Sequence, residues 1–253
     1  MRHLILVVCA GVTLSGHAVR PPSGLDQPIS ATALVEELTG RDPCRLWTAL
    51  EQLARHARVR IGFEQTLDCS PAPWELRPYE GAVNVGGLTP RQAIDRILAQ
   101  RPDYRWIEVE GVAVIRPVTA WTPKGSVLNA PVAAFAVVDE HPHLALHTLF
   151  QSSQPSLYQE HTDLRLSANG RRLDDPGYAG LIDVPVSMNF AGGNLVQALN
   201  AITREFSGMW QAAYVARGDD RHSLWVGLYT LEADGGVVQF NSTAFTTAAR
   251  TPP

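Results

Sequence analysis

Residues 83–98 read VNVGGLTPRQAIDRIL, and this stretch decides what kind of fold the chain can make. Val83 and Val85 alternate with a polar neighbour as a short strand does, and Gly86-Gly87 ends it. Thr89 then stands where a helix N-cap belongs, and Pro90 takes the first helical position. Gln92 is spaced to reach back and complete a capping box. Ala93, Ile94, Ile97 and Leu98 fall on one helical face, and Arg101-Pro102 stops the helix. A strand that feeds straight into a capped amphipathic helix calls for a mixed α and β architecture.

Working outward, Leu46, Ala49, Leu50, Leu53 and Ala57 lie at helical spacing and predict an amphipathic helix over Arg45–Ala57. Val59 to Glu64 alternates apolar and polar positions, the mark of a half-buried strand. Pro71, Pro73 and Pro78 make the next segment an irregular loop. Downstream, the strand-like runs Tyr104–Val109 and Val112–Ile115 flank Glu110-Gly111, which reads as a hairpin turn. Residues 19–43 are rich in Pro, Gly and Ser and read as a flexible lead-in, with a short helical patch at Ala33–Leu38.

Taken together, ALEQLARHARVRIGFE, VNVGGLTPRQAIDRIL and YRWIEVEGVAVIRP resemble, over residues 44–117, the secretin and TonB receptor N-terminal short domain. The resemblance rests on apolar positions around Leu88-Thr89 and Ala93-Ile94 and not on chemically reactive residues. It implies two helices against a small sheet and a binding or docking role in the bacterial envelope. The chain departs from that pattern by adding Cys44, Cys69 and a long proline-rich loop.

The pattern then returns. Ala49, Leu50, Leu53, Ile61 and Glu64 match Ala145, Leu146, Leu149, Leu157 and Glu160 at a constant offset of 96. Val83, Val85, Gly87, Gln92, Ala93, Ile94 and Ile97 match Met188, Phe190, Gly192, Gln197, Ala198, Leu199 and Ile202 at an offset of 105, with Asn194 in the N-cap place of Thr89. The expected fold class is therefore α+β: two related small modules, each with two helices packed on a short β-sheet, as βαβ-type repeats. The first module covers 44–117, a linker 118–131, the second and divergent module 132–230, and a loose tail 231–253. The second module opens with a strand at Val132–Val138, carries a long loop at Asn169–Asp183, and closes with strands at Met209–Tyr214 and Leu224–Tyr229.

Composition narrows the function classes. The chain has 253 residues, is 45% hydrophobic and carries a net charge of -4, which suits a soluble protein and argues against nucleic acid as a main partner. Met1-Arg2-His3, the apolar run Leu4–Leu14 and the small residues Gly16 and Ala18 read as a signal peptide over residues 1–18. The apolar run falls short of the roughly 20 residues that span a bilayer, and no later segment could span one as a helix. A periplasmic or secreted location follows, and in that setting Cys44 and Cys69 are most simply a disulfide, worth about 3 kcal/mol by chain entropy.

The search for chemistry gives one metal candidate. His143 and His147 have the four-residue spacing of zinc ligands on one helical face, which would suit a metal-dependent hydrolase. No Glu lies between them to act as base, and the matching positions of the first module carry no ligands, so no metal and no cofactor is expected. The aromatic and basic residues carry more weight. Trp106, Trp210 and Trp225 sit on or beside closing strands, where aromatics are usually core and otherwise form a surface for a partner, and Trp74, Arg77 and Tyr79 sit in the loop after Cys69; these residue types dominate interface hot spots. The sequence thus leads to a non-enzymatic docking module whose partner is another envelope protein, within a secretion assembly or a TonB-linked uptake or signalling assembly.

Overall fold

A computed structural model describes residues 24–30, 34–35, 45–65, 83–99, 101–123, 125–153, 184–216 and 222–231. Residues 1–18, read above as a signal peptide, lie outside them, as do Cys44, Cys69, Trp74, Arg77, Tyr79, the loop read at Asn169–Asp183 and residues 232–253. Among the described residues there are four α-helices: α1 (Arg45–Ala57), α2 (Pro90–Leu98), α3 (Pro142–Ser153) and α4 (Leu195–Glu205). The strands are β1 (Leu34–Val35), β2 (Ile61–Glu64), β3 (Val83–Asn84), β4 (Tyr104–Val109), β5 (Val112–Pro117), β6 (Pro131–Val132), β7 (Phe135–Glu140), β8 (Val186–Phe190), β9 (Gly193–Asn194), β10 (Gly208–Ala216) and β11 (His222–Thr230). The fold is mixed α+β.

The local signals at the capped helices hold to the residue. Gln92 N–H donates to Thr89 Oγ1 (3.3 Å) while Thr89 N–H donates to Gln92 Oε1 (2.9 Å), the reciprocal capping box. Asn194 and Gln197 repeat it at α4, both bonds being 3.0 Å. Glu110 and Gly111 both have positive φ (54° and 80°), the two-residue turn whose twist matches a hairpin, and β4 pairs antiparallel with β5 across it.

The sheet departs from expectation. In place of two separate sheets, β11, β10, β2, β5 and β4 form one five-stranded sheet in that order. β2 runs parallel to β5 on one side and parallel to β10 on the other, so the closing hairpin of the second half is joined to the first half. Ile61, Phe63, Ala113, Ile115, Met209 and Tyr229 pack on one face with α1 and α2. Val112, Val114, Trp210, Ala212, Val226 and Leu228 pack on the opposite face with α3 and α4. The sheet is therefore covered on both faces, which is why β5 is buried along its whole length. Three further antiparallel pairs, β1 with β3, β6 with β9 and β7 with β8, lie outside the main sheet.

Other boundaries also differ from the sequence reading: the strand read at Val132–Val138 is split into β6 and β7, which pair with different partners. Leu34–Val35, inside the expected helical patch, is a strand paired with β3. The lead-in is anchored where it is described: Leu25 and Ile29 are in the α1–α2 core, and Ile29 N–H donates to Leu88 O (2.8 Å). The linker is packed too, with Leu128 fully buried and Pro131–Val132 paired to β9.

Candidate functional site

The most deeply buried charged residues among those described lie where β2, β5 and β10 meet. Glu64, at the end of β2, and Arg116, on β5, are 2% and 3% exposed. Arg116 Nε donates to Glu64 Oε2 (2.5 Å), and Arg116 Nη1 donates to Asn129 Oδ1 (2.9 Å). Glu64 Oε1 accepts from Ser126 Oγ (2.5 Å) and from the Tyr214 hydroxyl of β10 (2.7 Å). Burial and the Glu64 charge push the Tyr214 phenol above its ordinary range. Arg116 Nη2 is buried without a hydrogen-bond partner, and Ser126 also accepts from Leu128 N–H (3.0 Å) as the cap of a short 3₁₀ turn. The cluster ties β2, β5, β10 and the connecting segment together. Sequence reasoning missed it, although Glu64 and Arg116 are single charges set into apolar strands.

The expected aromatic surface divides. Trp210 is fully buried, so it offers nothing to a partner. Its indole lies across Gly62 of the neighbouring strand, where a Cβ would collide with the ring, and its Nε1–H donates to Asn200 Oδ1 of α4 (2.8 Å). Trp106 makes the same kind of bond, Nε1–H to Asp95 Oδ1 of α2 (2.7 Å), but stays half-buried. Trp225 sits on β11 opposite Ala213.

Of the metal candidates, His143 and His147 both lie on α3. Burial lowers the pKa of His147, and the charge of Glu140 opposes that shift. Among the described residues, no three His, Cys, Asp or Glu side chains converge as a metal site.

The feature that stands out is the outer side of β4. The pair flanking a two-residue hairpin turn is hydrogen-bonded, so Val109–Val112, Ile107–Val114 and Arg105–Arg116 exchange the ladder bonds. Ala113 N–H donates to Arg60 O and Val118 N–H to Asp103 O, as that phase requires. The N–H and C=O groups of Trp106 and Glu108 therefore point away from β5, and no described strand pairs with them. Beside them, Ile107 is 44% exposed and Arg105 is exposed. Arg105 lies 5.0 Å from the Trp121 ring centroid and Arg116 lies 5.2 Å from it. Arg116 has its carboxylate in Glu64, whereas Arg105 has none among the described residues.

Among the described residues, no helix is long and apolar enough to cross a membrane. No known protein family, curated protein or solved structure matches the chain.

Proposed function

We propose that the protein is a non-enzymatic docking protein of the bacterial envelope, exported by residues 1–18, that binds another envelope protein through a sheet edge. The open side of β4 carries this reading: backbone groups of Trp106 and Glu108 aimed outward, with exposed Ile107 and Arg105 beside them. Edges of this kind take up an extended segment of a partner as an added strand. The polar cluster at Glu64 and Arg116 serves as a strut, since it is buried and its bonds join β2, β5, β10 and the connecting segment.

The two halves are read as copies of one unit similar to the secretin and TonB short domain. Each supplies an antiparallel strand pair, a helix that starts with a capping box, a closing hairpin, and an indole bonded to that helix. The second copy is turned over, so that its helices cover the other face of the common sheet.

The test is affinity capture from envelope extract with residues 19–253, followed by reconstitution from the two purified components. A saturable, stoichiometric complex is expected, weakened by Ile107→Asp. Failure to reconstitute any complex overturns the docking reading. So does stoichiometric zinc lost together with a hydrolytic activity in a His143→Ala variant.

A further inference from the structure

The molecule already holds one strand docked against a hairpin edge, and it supplies a template for the other. On β10, Trp210 and Ala212 turn their backbone groups outward, and β2 accepts them in parallel register: Trp210 opposite Gly62, Gln211 opposite Phe63, Ala212 opposite Glu64. Gln65 N–H donates to Ala212 O (2.8 Å), which fixes that phase. On β4 the outward residues are Trp106 and Glu108, so Trp106 occupies the station of Trp210. Both indoles are held by an oxygen on the helix packed behind them, Asp95 Oδ1 on α2 and Asn200 Oδ1 on α4. Trp210 is closed over by a glycine of the added strand, and any side chain there would collide with the ring. At Trp106 the ring is met by Arg91, whose guanidinium lies 5.2 Å from its centroid and is itself held in surface ion pairs to Asp26 and Glu108.

We infer that β4 docks an extended partner segment, in parallel, that places glycine opposite Trp106, an acidic residue opposite Arg105 and an apolar residue opposite Ile107. This rests on the docking reading and adds the chemistry of the occupant. Glycine follows from the Trp210–Gly62 pair. The acidic residue follows from Arg105, a guanidinium beside Trp121 and across from Arg116 that has no carboxylate among the described residues. The apolar residue follows from Ile107, the exposed hydrophobic of the same strand. Backbone bonds to Trp106 and Glu108 would supply affinity and the three side-chain positions specificity.

The probe is the peptide acetyl-Thr-Thr-Glu-Gly-Val-Thr-Thr-amide, titrated into nitrogen-15-labelled protein spanning residues 19–253. Saturable shifts are expected at the backbone amides of Trp106 and Glu108 and at the Trp106 indole N–H. Valine in place of the peptide's glycine should weaken binding about tenfold or more, because the ring leaves no room for a branched side chain. Lysine in place of its glutamate should weaken binding to the natural protein, and Arg105→Glu should reverse that preference. Glu108→Pro should abolish binding while leaving the β5 amides unchanged, because the Glu108 N–H faces outward and proline is tolerated on an edge. Absence of saturable shifts, equal binding of the valine peptide, or undiminished binding to Glu108→Pro overturns the inference. If a captured partner still binds and Ile107→Asp weakens it, the docking reading stands without this occupant.

Discussion

Trp106 and Trp210 hold the same station in two hairpins, and their surroundings differ by one strand. Each donates its indole N–H to an oxygen on the helix behind it. Trp210 is fully buried because β2 has joined the edge of β10 and set Gly62 against the ring, while Trp106 is half-buried because nothing described has joined β4. Burial of a strand aromatic is thus decided less by the residue than by whether its edge is occupied. The occupied edge shows what an added strand must look like, and the open one shows where the next could go.

That contrast can be broken most forcefully at the seam. Trp210→Ala should cost about 3–5 kcal/mol in urea unfolding, whereas Trp106→Ala should cost only about 1 kcal/mol. Comparable losses at both would mean that β4 is covered as β10 is. Glu64→Ala leaves the buried Arg116 guanidinium unpaired and should cost about 3–5 kcal/mol. Arg105→Ala, on the open edge, should fall within about 0.5 kcal/mol of the parent protein.

A smaller effect is expected from Tyr214→Phe, which removes a hydrogen bond to a buried carboxylate and should cost about 1.5–3 kcal/mol. The same residue sets an alkaline limit. Its phenol is raised above the ordinary value by burial and by Glu64, so the folded state holds its proton more tightly than the unfolded chain. Stability should be flat below about pH 10 and fall as pH rises beyond it. Tyr229, raised by burial and by Glu51, acts in the same direction. Tyr214→Phe should flatten part of that decline in a pH series of unfolding curves. Thr89→Ala and Asn194→Ala are each expected to cost about 1 kcal/mol, since the two capping boxes are alike. A large inequality between them would argue against treating the halves as equivalent.

Much of this was legible in the residues where the signal is local. The capping boxes at Thr89 and Asn194, the helix over Arg45–Ala57 and the hairpin at Glu110-Gly111 each depend on neighbours a few positions away, and each stands as read. The shared sheet was not legible, because the choice of β10 as partner for β2 is made across roughly 150 residues and leaves no periodic trace. Leu34–Val35 was too short an apolar run to tell strand from helix. Which strand aromatic is core and which faces a partner was not legible for the same reason: the cover of Trp210, Gly62, lies far away in sequence. Gly62 itself, a lone glycine inside a strand pattern, was the available signal of a close approach.

The most direct measurement is amide hydrogen exchange on the reconstituted complex with the captured envelope partner. The account predicts that Trp106 and Glu108 exchange quickly in the free protein and become strongly protected in the complex, while Trp210 and Ala212 are protected in both. A stable complex in which Trp106 and Glu108 exchange as fast as in the free protein would contradict it.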